Sequence, residues 1–506
     1  MTESTSHVRG STLLLLGRFM SIGINLVSQV IIARHLTQTE FGAFALALAI
    51  AGVGQVFITL GLHRGATQFF AQYEEAGDHR RLVGAILVNA GVIVGLGILL
   101  FLVVVLAQAL LTSSGLLDPT ATALLLILVL LAPIDALDDM LIALFAVLGS
   151  SRQIFLRRHL VGPLLRLVVA ATLVLGDGDA TTLAIGYLLA TIFGLVVYGA
   201  LFVRILANRG VLRGLRASRP TAPAGEMLRF SLPLLTNDGV WLLVNTLPLL
   251  VLTAARGLEE VAAFQVIRPA AALNMTVANA FYVLYLPVAA RLATRHDLAG
   301  SSDLFWRTAM WVAVATFPIF ATTFALGRPI AGLLFGDQYE PSGTYLSILA
   351  VGYLFNATFE FNAITLAAHG HTRTVAMLNA AAAVIGAVAT LILVPIAGAL
   401  GAAVAAALTL ILQVMLMQLA LRPQVGIPLI HRDAIRVFAI MAVATLALLV
   451  VQSVAPFGWW TILAVGVASL AVVFLCRDAL HIETLFPELG VVLDRVPWLR
   501  PARRGG

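Results

Sequence analysis

Fourteen apolar stretches follow one another along this chain, joined by connections too short to fold by themselves. Each comes close to the ~20 residues that a helix needs to cross the hydrocarbon of a bilayer. The first six run Ser11 to Ala33, Phe41 to Leu62, Leu82 to Ala107, Thr120 to Leu148, Leu160 to Gly176 and Leu183 to Leu206. The next six run Phe230 to Ala254, Val261 to Leu286, Phe305 to Leu326, Thr344 to Ala368, Met377 to Ala397 and Leu400 to Leu421. The last two are Ile435 to Ala455 and Trp459 to Cys476. Arg18 and Asn25 interrupt the first stretch and no small-residue cleavage site follows it, so it reads as a span rather than a signal peptide. Composition agrees, because only 11% of the residues are charged against about a quarter in soluble domains, and the mean hydropathy is +1.00. The expected fold class is therefore an all-α membrane protein of fourteen transmembrane helices.

The charges report topology. All 31 basic residues are Arg, and the formal net charge is +6. They lie mostly in the short connections, which removes the case for a nucleic-acid partner. The N-terminus, the even-numbered loops and the C-terminal tail together collect 25 Arg, whereas the opposite side holds only Arg34, Arg256 and Arg328. By the positive-inside rule both termini face the cytoplasm. One cysteine, Cys476, excludes an intramolecular disulfide. The tail after His481 spaces Ile482, Leu485, Phe486 and Leu489 on one helical face, so a surface-lying helix and a disordered tail both stay open.

Two passages repeat at nearly one offset. AlaArgHisLeuThrGlnThrGluPheGlyAlaPhe (Ala33 to Phe44) matches AlaArgGlyLeuGluGluValAlaAlaPhe (Ala255 to Phe264). Gly149, Ser151 and Arg152 match Gly370, Thr372 and Arg373. Together they divide the chain into an N-terminal lobe of six spans (1–206), a basic linker (207–229), a C-terminal lobe (230–422), two further spans (423–476) and a tail (477–506). Six spans return the chain to the same side, so two such lobes are related by an axis along the membrane normal.

Ionisable side chains at membrane depth are costly and mark candidate functional positions. Asp135, Asp138 and Asp139 sit at i, i+3 and i+4, on one helical face. An offset of 221 carries Asp135 and Asp139 onto Asn356 and Glu360. These polar positions line a shared cavity or form a buried carboxylate network that joins helices. Arg18 has Asn25 nearby, and Arg268 has Asn274 and Asn279; a guanidinium fork suits a phosphate or pyrophosphate. Arg166, close to the cytoplasmic end of its span, reads as a snorkelling side chain. Asp238 lies on a span broken by Pro233, Gly239 and Pro248; it is placed to take a coupling proton or sodium ion, or to act as counter-ion of Arg268. No Walker loop, HExxH or nucleophile-elbow motif is present, so neither catalytic residues nor metal ligands are assigned and no cofactor is expected.

Four passages carry a family resemblance: Ala33 to Gly42, LeuPheGlyAspGlnTyr (Leu334 to Tyr339), AlaAlaHisGlyHisThrArg (Ala367 to Arg373), and LeuValProIleAlaGlyAlaLeuGlyAlaAlaValAlaAla (Leu393 to Ala406). In them the chain resembles polysaccharide or O-antigen flippases of the multidrug/oligosaccharidyl-lipid/polysaccharide (MOP) exporter superfamily. The resemblance implies a two-lobed, MATE/MOP-like alternating-access fold in the inner membrane. Its implied cargo is an undecaprenyl-pyrophosphate-linked oligosaccharide, carried from the inner to the outer leaflet. It also implies a cationic cavity and encoded neighbours such as glycosyltransferases and a polymerase. Arg18, Asn25, Arg268 and Asn274 are then the substrate-binding candidates; Asp238, Asp135, Asp139, Asn356 and Glu360 are those for ion coupling or cavity lining, with H+ or Na+ as the ion. A peptidoglycan-precursor flippase and a drug/cation antiporter are the alternatives within the superfamily. A membrane glycosyltransferase or polymerase is the alternative from another class, and the short outward loops disfavour it.

Overall fold

The computed structural model describes residues 2–113, 119–147, 151–208, 221, 223–231, 235–454 and 458–480. Among them every regular element is helical, as hydrocarbon demands of a backbone that must satisfy its own hydrogen bonds. The order begins α1 (Thr2–His35), α2 (Gln38–Thr59), α3 (Leu62–Glu75), α4 (His79–Ser113), α5 (Pro119–Leu128) and α6 (Leu131–Val147). Next comes one continuous helical run in three pieces: α7 (Ser151–Ile154), a π-helical turn (Phe155–Val161) and α8 (Gly162–Leu175). Then follow α9 (Ala180–Asn208), α10 (Ala224–Ser231), α11 (Leu235–Asn245), α12 (Leu247–Arg256), α13 (Leu258–Ala272), a 3-10 turn (Leu273–Met275), α14 (Thr276–Thr294) and α15 (Leu298–Ala325). The chain closes with α16 (Gly327–Phe335), a second 3-10 turn (Asp337–Ser342), α17 (Gly343–Phe359), α18 (Phe361–Ala368), α19 (Thr372–Val425), α20 (Arg432–Val454) and α21 (Trp459–Leu480).

Among the described residues, eleven helical spans are long and apolar enough to cross a membrane, against the fourteen expected. Three local causes account for the difference. Expected spans eleven and twelve run together as the 54-residue α19, which at ~1.5 Å per residue far exceeds one bilayer crossing. Gly398, at φ 57 and ψ −135, interrupts its helical backbone, and a Cβ on Gly401 would meet the Leu393 carbonyl oxygen at 2.1 Å. Residues eight apart on a straight helix are separated by ~12 Å, so the chain doubles back here. Hydrogen bonds from Gln413 to Asn379 (2.8 Å) and from Gln424 to Thr374 (3.1 Å) continue the hairpin. The tenth expected span is divided at Glu360, between α17 and α18. The first begins at Ser11, outside the residues whose side chains are described.

The expected linker is partly a correction. Residues 209–220 and 222 lie outside the described residues, as does the tail from His481, but 224–231 form α10. Met227 drives this, being fully buried in an apolar cluster with Phe69, Phe70 and Tyr73 of α3.

Two compact units form. Unit 1 comprises Met1–Val266, Leu334–Tyr339 and Ala383–Ala402; unit 2 comprises Ile267–Leu333, Glu340–Ala382 and Ala403–Gly506. In unit 1, α2 packs on α4, α5 and α6, while α1 and α9 flank α8. Helix association in lipid depends on close packing rather than on water exclusion, and Gly42 illustrates it. A Cβ there would stand 2.0 Å from the Leu258 carbonyl oxygen. In unit 2, α15 lies among α14, α17, α20 and α21, and Phe305, Phe317, Phe320 and Phe361 fill its core.

The duplicated passage has a structural counterpart within unit 1. Arg34 Nε donates to the Leu334 carbonyl (2.8 Å), and Arg256 Nη2 donates to the carbonyls of Pro395 and Ile396 (both 2.8 Å). Each arginine therefore holds backbone acceptors beside a glycine of positive φ, Gly336 at 102° and Gly398 at 57°. Glu40 completes a capping box on Thr37 at the start of α2, whereas its partner in the repeat, Glu260, accepts from the Ala399 amide (2.7 Å).

Replacing Gly42 by Val is expected to lower stability by about 1–3 kcal/mol through overpacking. Gly52, on the same helix with no atom within 4 Å of its Cβ position, should accept Ala with no loss. Thermal unfolding of both variants in detergent checks the contrast. At the start of α9, Asp179 Oδ1 accepts from the Thr182 amide and hydroxyl (both 2.9 Å), and the amide bond is the first cause of a pKa held below the usual carboxylate value. A depressed folded-state pKa contributes stability above the unfolded value of about 3.9, and that contribution is lost as pH falls through the folded value. Asp179→Ala should cost about 1 kcal/mol at neutral pH, with the penalty shrinking below pH 4 in pH-resolved thermal melts.

Candidate functional site

Within unit 1 a cavity of about 470 Å³ opens among α1, α2, α6, the π turn, α8 and α9. Its wall holds four guanidiniums, Arg18, Arg157, Arg158 and Arg166, and three carboxylates, Asp135, Asp138 and Asp139. With four positive and three negative groups, the formal balance is +1. Asn25, Gln55, Ser21 and His159 supply further polar atoms.

Helical spacing puts the three acids on one face, as the sequence predicts, that face lines this wall, and each acid has a different setting. Asp138 pairs with Arg157, Oδ1 to Nε at 2.8 Å, with side-chain exposures of 17% and 7%. The Arg157 guanidinium also lies 5.5 Å from the ring centroid of Tyr198 on α9, a cation–π geometry. Gly194, one turn before Tyr198, makes room for it, since a Cβ there would stand 2.5–2.7 Å from the guanidinium atoms. Asp139 accepts from Gln55 Nε2 on α2 (3.1 Å). Asp135 stands beside Arg166, close enough to interact through space, and Arg166 lies 5.8 Å from the ring centroid of Tyr187. On the α1 side, Ser21 Oγ and His159 Nδ1 are 3.4 Å apart, and the Ser21 hydroxyl donates to the Arg18 carbonyl (2.9 Å). Among the described residues Arg18, Arg158 and Arg166 have no carboxylate within ion-pairing distance. Their donors are available to an anion.

The sequence-derived candidates divide. Arg18, Asn25, Asp135 and Asp139 come together on this wall. Arg166, read from sequence as snorkelling, also lines the cavity, because the helix of which α8 is part starts at Ser151 instead of Leu160. That earlier start also moves Arg157 and Arg158 out of a loop and into a helix, where they were not expected. The apolar Ile154, Phe155 and Leu156 ahead of them are the available sequence signal. Asp238, on α11, is buried and absent from the wall. Arg268, Asn274, Asn356 and Glu360 belong to unit 2. Asn274 has no exposed surface; its Nδ2 donates to the Ala271 carbonyl (3.0 Å) and the Thr323 hydroxyl (3.1 Å). It ties the 3-10 turn to α15. Glu360 falls at a helix junction while Asp139 lies inside α6, so the offset pairs residues in different local settings.

The helical, multi-pass architecture is similar to that of solved membrane transporters. A Lipid II flippase MurJ in an inward closed conformation superposes with a TM-score of 0.68 at 14% identity, covering 94% of this chain and 99% of the other. An inward-facing multidrug resistance MATE family transporter gives 0.62 at 16% identity, covering 80% and 94%. No curated protein matches the sequence significantly. Residues 7–293 match the model of the polysaccharide biosynthesis protein family, and the chain belongs to that family.

Asn274→Ala should cost about 1–3 kcal/mol, since it removes a buried donor from two acceptors. Chemical or thermal denaturation of the purified variant measures this directly.

Proposed function

We propose that the protein carries an undecaprenyl-pyrophosphate-linked oligosaccharide or polysaccharide repeat unit from the inner to the outer leaflet of the cytoplasmic membrane. The observation that carries this reading is the unit 1 cavity, where Arg18, Arg158 and Arg166 face a polar space and, among the described residues, have no carboxylate within ion-pairing distance. A pyrophosphate offers several acceptor oxygens, and guanidinium forks bind such groups bidentately. Family membership supports a role in polysaccharide biosynthesis, and the fold is one used for transport. A cation cargo fits poorly beside surplus guanidiniums, which disfavours drug/cation antiport. A Lipid II-type cargo shares the pyrophosphate chemistry and differs in its sugar.

The cycle is alternating access between two duplicated six-helix lobes, 1–206 and 230–422, with both termini cytoplasmic. Arg18, Asn25 and Arg268 are assigned to the head group. Asp135 and Asp139, beside Arg166 and Gln55, are assigned to ion coupling together with Asp238, Asn356 and Glu360, using H+ or Na+. Substrate anion and these carboxylates then compete for the same cations, which links cargo release to ion uptake.

Arg18→Ala and Arg268→Ala should each reduce flipping at least about tenfold, the loss of one charge-assisted hydrogen-bonded contact, while membrane expression is unchanged. Complementation of a flippase-null strain and uptake in proteoliposomes measure this; full activity of both variants rejects the pyrophosphate assignment. Asp135→Asn should weaken the dependence of transport on the ion gradient, and an unchanged dependence removes Asp135 from coupling.

A further inference from the structure

The π turn Phe155–Val161 is held on both sides and presents one arginine between its anchors. On one side Arg157 is held by Asp138 of α6 and lies over Tyr198 of α9 against the bare Cα of Gly194. On the other, Phe155 and His159 press on α1 at Gly17, where a Cβ would stand 2.7–2.8 Å from their atoms. His159 also meets Ser21 of α1. Arg158, between them in sequence, is exposed and lines the cavity.

Helical geometry says what the π turn accomplishes. Arg158 and Arg166 are eight residues apart. Eight steps of an α-helix turn the chain through two revolutions plus about 80°, which would put the two side chains on different faces. A π turn absorbs one additional residue, and here the Gly162 amide reaches back five residues to the Arg157 carbonyl. The effective separation becomes about seven steps, within ~20° of two full turns. Arg158 and Arg166 thus share a face, and both guanidiniums line the same cavity. π turns are rare and concentrate at functional positions.

We propose that this π turn, with the Arg157–Asp138 pair seated against Gly194, is a positioning device that sets Arg158 in register with Arg166 for one pyrophosphate group. The proposal rests on reading the cavity as the anion site. Arg157 and Asp138 are positioning residues: their charges neutralise each other, and their effect on the ligand passes through the turn.

The test measures binding of undecaprenyl pyrophosphate, and of undecaprenol as a neutral lipid, to the full chain in nanodiscs. Arg158→Gln and Arg166→Gln should each weaken undecaprenyl pyrophosphate binding about tenfold and leave undecaprenol binding unchanged. Gly194→Ala and Asp138→Asn, which disturb the anchor of the turn, should weaken it by a similar factor with undecaprenol again unaffected. A loss in Arg158→Gln beside wild-type affinity in both anchor variants overturns the positioning device and leaves the anion site standing. Wild-type affinity in both Arg158→Gln and Arg166→Gln overturns the anion site itself. Should Asp138→Asn fail to fold by thermal melting, Gly194→Ala, which keeps every charge, decides alone.

Discussion

A guanidinium cannot rest unpartnered in hydrocarbon, and most of what is distinctive in this structure follows from how its intramembrane and loop arginines are accommodated. Three solutions occur within unit 1. Arg157 is neutralised by a buried carboxylate and an aromatic face. Arg34 and Arg256 are satisfied by backbone carbonyls at glycine turns. Arg18, Arg158 and Arg166 open onto a polar cavity. The first two solutions stabilise structure, and only the third leaves binding capacity, so the functional reading concentrates there.

The carboxylates are as informative as the arginines. A cavity lined only by cations would hold a pyrophosphate and release it slowly. In the proposed cycle, Asp135 beside Arg166 and Asp139 held by Gln55 supply internal competitors for those cations. The acid triad therefore suits a carrier, which must bind and release, better than a static anion store. Among the described residues of the triad, Asp138 forms an ion pair, with Arg157, while all three acids line the cavity.

Much of the fold was legible in the sequence. Apolar length and arginine placement indicated an all-helical, multi-pass protein, and the break expected between Ala397 and Leu400 falls at Gly398. Arg34 and Arg256, matched in the repeat, do equivalent work on carbonyls. The site was half legible: Arg18, Asn25 and the acids at i, i+3 and i+4 announced themselves as polar residues in apolar surroundings. Arg157, Arg158 and Arg166 did not. Positive-inside counting treats an arginine near a span end as a loop or snorkelling residue, and a π turn shifts helical phase by one residue, which a fixed 3.6-residue period cannot register. Asn274 is ambiguous in sequence for the opposite reason. A buried amide that bonds a backbone carbonyl and a threonine looks, in sequence, like one that bonds a ligand.

The central claim, that the unit 1 cavity recognises a pyrophosphate, is tested most directly by ranking polyprenyl ligands on the unmodified protein. Titration of the nanodisc-embedded chain with undecaprenyl pyrophosphate, undecaprenyl phosphate and undecaprenol at constant ionic strength should give affinities falling in that order. Each lost phosphate should cost about tenfold, as expected for charge-assisted contacts. Equal affinity for all three would mean that the lipid tail alone is recognised, and would contradict the account.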